Sequence, residues 1–207
     1  MNITTSELVY INEAAKALKQ KDFILIDNAM IGLDNIENLV TFILLDSNFL
    51  TNYFHGAIIN QRALSAFIKT ISIESDFQFD SMNTVIQTKS GGELLIGFDQ
   101  RIAELACSRY KDAVCIDTSY INSVPETEAS NITDAIQNMS KADGAIRVNY
   151  YNYYMTLFPS IIPLTKSDKM YISIFEKYFS LNLFVAKFRI HKKKFDVITY
   201  IHYYKIA

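Results

Sequence analysis

Two stretches of this chain, residues 57–98 and 145–206, repeat one order of elements, an amphipathic helix followed by a run of strands. In the first stretch, AIINQRALSAFIKTI has helical spacing, and ELLIGF follows a Gly-Gly turn and has the composition of a strand. In the second stretch, AIRVNYYNYYMTLFPSI has helical spacing and precedes strand patterns. The repeated order predicts two similar modules, each with helices packed on antiparallel sheet, and therefore an α+β fold.

The same pattern divides the chain into three parts. Residues 1–111 are predicted to form the first module, and residues 144–207 a second, abbreviated module. Residues 112–143 are predicted to be a connector: VCIDTSYINSV has the pattern of a strand that gives way to a loop, and residues 125–143 are polar and acidic, with one helical piece. A complete second module would have a first helix and strands before residue 145. These are missing from the pattern, so the second module is expected to be the shorter one.

Within the first module, two helices can be predicted from caps and spacing. Thr5 or Ser6 can cap the first helix, and Asn60 can cap the second. Apolar residues recur along the first helix at positions that share one face, namely Leu8, Ile11, Ala15 and Leu18. Strands are predicted at 23–27 and 39–50.

Charge is unevenly distributed along the chain, although the net charge is only −2. Residues 1–165 carry 11 Lys and Arg against 19 Asp and Glu, whereas residues 166–207 carry 9 against 3. A basic segment can attract a polyanion. The cluster at Lys192, Lys193 and Lys194 has two interpretations, a solvated hairpin turn or a phosphate contact.

Residues that carry chemistry are sparse. Cys107 and Cys115 lie in apolar stretches, which is typical of free thiols in a reducing compartment. The three histidines, at positions 55, 191 and 202, have no Cys or carboxylate partner close in sequence. No metal-binding, nucleophile or phosphate-loop motif is present, so the sequence predicts a protein without catalysis and without a cofactor.

The order of a first helix, two strands, AIINQRALSAFIKTI and a Gly-turn hairpin resembles one module of the DNA sliding clamps. That family includes proliferating cell nuclear antigen and its phage and viral counterparts. The C-terminal TYIHYYKIA is similar in position to the family's final motif, although it lacks the family's proline. The resemblance implies a homo-oligomeric ring, a trimer, whose outer sheets pair between subunits and whose inner wall is lined by cationic helices.

The resemblance also implies two sets of site residues. Matching positions for contacts to duplex phosphates are Lys16, Lys19, Arg62, Lys69 and Arg147, although ordinary solvated helix faces would carry the same residues. Matching positions for a pocket that binds partner peptides are Met30, Ile31, Ile121, Val124, Tyr200, Ile201 and Tyr203, and core packing would explain these as well.

The function implied is that of a DNA polymerase processivity factor that encircles duplex DNA without sequence preference and tethers replication or transcription proteins. One alternative is a clamp-fold interaction factor that does not encircle DNA, and a second is a nucleic-acid enzyme with an unrecognised site. No apolar run approaches the roughly 20 residues of a membrane helix. A soluble intracellular protein without membrane contact is expected. Its Asn, Ile, Tyr and Lys usage points to a virus or phage, and so to host cytoplasm or nucleus.

Overall fold

The computed structural model describes most of the chain. The described residues are 2–34, 36–37, 39–46, 55–71, 77–80, 85–87, 92–116, 120–139, 146–150, 153–157, 162–165, 167–177 and 183–204. They form two compact units: unit 1 contains residues 1–34 and 42–108, and unit 2 contains residues 35–41 and 109–207. Among the described residues, no helix combines the length and the apolar character needed to cross a membrane.

Unit 1 contains two helices and two antiparallel sheets. Its first elements are β1 (Asn2–Ile3), α1 (Thr5–Leu18), β2 (Asp22–Ile26), β3 (Ala29–Gly32) and β4 (Leu39–Leu44), of which residues 42–44 belong to this unit. Its next elements are β5 (Ile58–Asn60), α2 (Gln61–Lys69), β6 (Phe77–Asp80), β7 (Val85–Gln87) and β8 (Glu93–Leu95). A third helix, α3 (Gln100–Val114), contains the boundary between the two units.

The two halves of unit 1 exchange their first strands. Strand β1, which precedes α1, pairs with β6, and β5, which precedes α2, pairs with β2. The sheets therefore have the orders β1-β6-β7-β8 and β5-β2-β3-β4. Helix α1 packs on α2. Because each half supplies a strand to the other half's sheet, the two halves fold as one module.

The first helix begins where a capping box fixes its end. The Thr4 side chain accepts a hydrogen bond from the Glu7 amide, and the Glu7 carboxylate accepts one from the Thr4 amide at 2.7 Å. The cap is therefore Thr4, not the predicted Thr5 or Ser6. The predicted apolar face is confirmed, because Leu8, Ile11, Ala15 and Leu18 are all buried. The predicted cap of α2 is also confirmed, since Asn60 accepts from the Ala63 amide at 3.0 Å.

Gly32 lies at the end of β3 because the neighbouring Gln20 side chain leaves no room for a methyl group. A Cβ added there would lie 2.7 Å from Gln20 Cδ. Gln20 is buried and cannot swing away, because its Oε1 accepts a hydrogen bond from the Asp34 amide at 2.9 Å.

Replacing Gly32 by Ala is therefore expected to lower the free energy of unfolding by about 1–3 kcal/mol through overpacking. Gly97→Ala is the matched control, because its added Cβ would approach Ile58 no closer than 3.6 Å. Urea unfolding of both variants measures the difference. Equal stability of the two variants would mean that Gln20 can move aside.

Unit 2 contains four strands that pair antiparallel with one another and a separate hairpin. Its elements are β9 (Tyr120–Glu128), α4 (Ser130–Met139), β10 (Ile146–Tyr150), β11 (Tyr153–Leu157), β12 (Lys169–Lys177), β13 (Leu183–Lys192) and β14 (Phe195–Tyr204). Strand β9 precedes α4 and pairs with β12, as β1 precedes α1 and pairs with β6. The order β9-β12-β13-β14 thus repeats the order β1-β6-β7-β8 of unit 1.

The predicted helix at residues 145–161 is wrong. Its described part is the hairpin of β10 and β11, in which Val148 pairs with Met155. Tyr, Val, Ile and Thr favour strands, and in a stretch this rich in large apolar residues a helical spacing arises by chance. Among the described residues, the helix that lies wholly in unit 2 is α4, which lies with β9 inside the predicted connector 112–143. Residues 35–41 also belong to unit 2, so the division differs from the predicted 1–111, 112–143 and 144–207.

In the residues that the structure describes, the second unit has no helix at the place where unit 1 has α2. Residues 162–165 and 167–168, which precede β12, are irregular, and Ile162 and Leu164 are buried. The Gln137 side chain of α4 donates a hydrogen bond to the Thr165 carbonyl at 2.9 Å. The predicted α+β fold with a shortened second module is confirmed, although the shortening lies at this segment.

Candidate nucleic-acid interface

A cleft of about 500 Å³ in unit 1 brings together four cationic side chains. We call it the cationic cleft, and its lining residues are Ala15, Lys16, Lys19, Gln20, Lys21, Asp34, Gln61 and Arg62. Three of the five predicted phosphate contacts, Lys16, Lys19 and Arg62, are therefore neighbours in space. Sequence reasoning missed Lys21 and Asp34, which come from loops.

The end of α1 supplies one side of the cleft. Lys19 ends the helix in the left-handed conformation, with φ 58°, and its amide donates to the Ala15 carbonyl at 3.1 Å. The chain then turns, so that Lys16, Lys19 and Lys21 fall on neighbouring positions. Cations in the last turn of a helix also interact favourably with its dipole.

Hydrogen bonds donated by backbone amides hold together the segments that line the cleft. The Lys21 amide donates to Asp34 Oδ2 at 3.1 Å, and the Asp34 amide donates to Gln20 Oε1. On the other side, the Gln61 amide donates to the Lys21 carbonyl at 3.0 Å. These bonds tie the segment after α1 to the first turn of α2, so Arg62 lies across the cleft from the lysines.

Cations are concentrated in this cleft although unit 1 as a whole is acidic. Unit 1 has seven Lys and Arg residues against twelve Asp and Glu residues, and four of the seven cations line the cleft. A concave surface lined mainly by one sign of charge, here four cations against the carboxylate of Asp34, focuses the field and attracts an oppositely charged ligand. The cleft can therefore hold an anion despite the negative charge of the unit.

The other two predicted phosphate contacts lie elsewhere. Lys69 is the exposed last residue of α2, seven residues after Arg62, which is about 10 Å along the helix. Arg147 lies on β10 opposite Thr156, so the cationic helix predicted to carry it does not exist. Among the described residues, the helix that lies wholly in unit 2, α4, contains no Lys or Arg and exposes Asp134.

The residues predicted to bind partner peptides have varied surroundings. Met30 and Ile31 lie on β3 with 0% exposure, and Tyr200 on β14 is 4% exposed, whereas Ile201 is half-buried. Ile121 and Val124 on β9 and Tyr203 on β14 have side chains outside the described part of the structure. Partner binding at these residues stays a prediction.

Unit 2 has a cluster of ion pairs around Arg189. Its guanidinium donates to both carboxylate oxygens of Glu126, at 3.0 and 2.8 Å, and to Asp196 at 3.2 Å. It also stacks 4.4 Å from the centroid of the Tyr171 ring. The hydrogen bonds that Arg189 donates to Glu126 raise the pKa of the Arg189 guanidinium above its ordinary value. Because Glu126 lies on β9 and Asp196 on β14, this cluster fastens the edge strand β9 to its sheet.

Two histidines have carboxylate partners that the sequence did not reveal. His191 Nδ1 lies 2.8 Å from Asp196 Oδ1, and His55 Nδ1 lies 3.5 Å from Asp27 Oδ1. The β13–β14 hairpin creates the first pair by bringing residues 191 and 196 opposite each other. In the described residues, no group of three His, Cys, Asp or Glu side chains could hold a metal ion.

No family model and no curated protein matches this sequence. Among solved structures, a Helicobacter pylori beta clamp matches with a TM-score of 0.49 and 10% identity, covering 98% of this chain and 63% of that chain. The DNA polymerase sliding clamp of Bacillus subtilis matches with a TM-score of 0.47 and 10% identity, covering 100% of this chain and 64% of that chain. A. fulgidus PCNA matches with a TM-score of 0.39 and 8% identity, covering 100% of this chain and 98% of that chain.

The solved structures found in this way belong to the family that the sequence resembles. This chain spans slightly less than two thirds of the length of the bacterial clamps that it matches. At TM-scores below 0.5 these similarities carry no weight by themselves. It is the architecture and charge of the chain itself that support a function.

Proposed function

We propose that this chain is a sliding-clamp-like processivity factor, a non-catalytic homotrimeric ring that encircles duplex DNA and tethers a DNA polymerase or other replication proteins. The observation that carries the proposal is the cationic cleft, which concentrates four of the seven cations of an acidic unit at the ends of two packed helices. Phosphate contacts made by Lys and Arg position a protein on DNA without reading its sequence.

Such a protein acts through its topology and not through chemistry. Each phosphate neutralised by a lysine or arginine releases counterions, so affinity falls steeply as salt rises. Long, flexible side chains hold the duplex without a fixed register. A partner bound to the ring then stays near the primer end at high effective concentration.

A threading experiment tests encirclement without any loading factor. The protein is mixed with a linear duplex that has biotin at both ends, and streptavidin is added before binding, after binding or not at all. We expect retention through a high-salt wash only when the ends are blocked after binding, because a ring threads over a free end and is then trapped. Equal retention in all three arms would contradict encirclement. Light scattering should give three times the mass of a single chain.

One observation favours a second candidate, a clamp-fold interaction factor that does not encircle DNA. Helix α4 of unit 2 has no cation and exposes Asp134, so its surface would repel phosphates. Weak, salt-sensitive binding that is indifferent to end blocking would favour this candidate.

A further inference from the structure

We propose that Asn12 is a positioning residue for the cationic cleft. Asn12 lies on α1 with only 4% of its surface exposed, on the same face as Leu8, Ile11 and Ala15. A polar side chain in an apolar stripe costs stability unless its hydrogen bonds are satisfied. An apolar residue would pack this position more simply, so the amide needs another explanation.

The Asn12 amide is the end of a hydrogen-bonded chain that crosses from α1 to α2. Ser65 Oγ donates to Asn12 Oδ1 at 2.7 Å, and Gln61 Nε2 donates to Ser65 Oγ at 2.9 Å. Gln61 itself lines the cationic cleft. The relay Asn12–Ser65–Gln61 therefore runs from the helix interface to the cleft.

The relay joins the turn of α1 that precedes Lys16 to the turn of α2 that follows Arg62. Lys16 lies one turn after Asn12 on α1, and Arg62 lies one turn before Ser65 on α2. The first residues of α2 are held separately, because Asn60 Nδ2 donates to Asp22 Oδ1 at 2.8 Å. Asn60 and the Gln61 amide fix the start of α2, and the buried Leu64 and Phe67 hold its apolar face. The bond from Ser65 to Asn12 adds a polar attachment to α1 one turn further along, and with it sets the separation of Lys16 and Arg62.

Positioning can be separated from simple stabilisation by a pair of variants. Ser65→Ala leaves the buried oxygen of Asn12 without a donor and should destabilise the fold, whereas the double variant Asn12→Leu, Ser65→Ala removes both partners and should regain stability. If Asn12 positions the cleft, the double variant should regain stability but should not regain the parent's distance across the cleft or its affinity for duplex. Ser65→Thr keeps the hydroxyl and is the conservative rescue.

The first readout needs no DNA. Two nitroxide labels report the distance across the cleft by double electron–electron resonance. They are attached at Lys16→Cys and Arg62→Cys in a chain whose Cys107 and Cys115 are replaced by serine. We expect a narrow distribution in the parent and in Ser65→Thr, and a broad one in Ser65→Ala and in the double variant. A distribution as narrow as the parent's in the double variant would overturn the proposal.

The second readout, duplex binding, rests on the proposed function. In the double variant without labels, affinity for long duplex should fall about fivefold, and the slope of log K against log salt should shrink by about one, as expected for one lost phosphate contact. Parent-like affinity and slope in the double variant would also overturn the proposal. If the parent itself does not bind duplex, the proposed function fails while the label distances still decide the role of Asn12.

Discussion

Replacing Lys16, Lys19, Lys21 and Arg62 together by glutamine should weaken binding to long duplex DNA by roughly two to four orders of magnitude at about 50 mM salt. Each of these side chains lines the cationic cleft, and they make up most of the cations of unit 1. At about 0.9 per neutralised phosphate, the slope of log K against log salt should shrink by roughly three to four. Fluorescence anisotropy with a labelled duplex across a salt series measures both quantities.

A matched variant separates the position of the charge from its amount. Arg101, Lys111, Lys193 and Lys194 are exposed and lie outside the cleft, and their replacement by glutamine changes the net charge equally. This control should lose far less affinity and keep most of the salt slope. If both variants lose the same amount, the protein attracts DNA through cations spread over its surface and the cleft has no special role.

A substitution at Asp34 should change the affinity for duplex in the opposite direction, because it removes a negative charge from the cleft. It is the one carboxylate among the described residues that line the cleft, and its Oδ2 accepts from the Lys21 amide. Asparagine keeps an acceptor for that bond while removing the charge. The Asp34→Asn variant should therefore bind duplex more tightly, which a mere loss of local structure would not produce.

The sequence was sufficient for the parts of unit 1 that depend on local spacing. Helix α2 and its Asn60 cap could be predicted because a cap and a helical stripe involve residues a few positions apart. Lys16, Lys19 and Arg62, which the resemblance implies as phosphate contacts, lie on α2 and at the end of α1, where helix spacing predicts their positions. Lys21 and Asp34 could not be found in this way, since hydrogen bonds between loops distant in sequence bring them to the cleft.

The failures in unit 2 have a different cause. The hairpin of β10 and β11 was mistaken for a helix because large apolar and aromatic residues fill most of its positions, so spacing alone carried no information. Strand β3 was missed because it is only four residues long. Asn12, by contrast, could have been noticed, because it interrupts the apolar spacing of Leu8, Ile11 and Ala15.

Removing the ammonium of Lys192 should destabilise the fold by about 3 kcal/mol, the largest loss expected from a single substitution here. Lys192 Nζ donates to Asp168 Oδ2 at 2.9 Å, and the two side chains are only 11% and 10% exposed. The same oxygen accepts from the Thr165 amide at 2.7 Å. Lys192 is therefore neither a solvated turn residue nor a phosphate contact. Lys193 and Lys194 are exposed, so both interpretations still apply to them.

The pair holds the irregular segment before β12 against the β13–β14 hairpin. Lys192→Met leaves a shielded carboxylate without its cation, whereas the double variant Lys192→Met, Asp168→Asn leaves neither charge behind and should lose clearly less stability than the single one. Urea unfolding of the parent, both single variants and the double variant gives the coupling energy. A coupling near zero would mean that water solvates the two charges and that the segment is held by the buried Ile162 and Leu164 and by the Gln137–Thr165 hydrogen bond.

The contribution of the Asp168–Lys192 pair to stability should depend on pH. Burial alone would raise the pKa of Asp168, but hydrogen bonds from Thr165 and Lys192 outweigh it and hold that pKa below its ordinary value of 3.8. A carboxyl with a depressed pKa in the folded state adds stability above its unfolded value, and this contribution is lost as pH falls through the folded value. The stability difference between the parent and Lys192→Met should thus be constant from about pH 5 to 7 and shrink below about pH 4. A difference that persists unchanged to pH 3 would assign the loss to packing of the lysine stem and not to its charge.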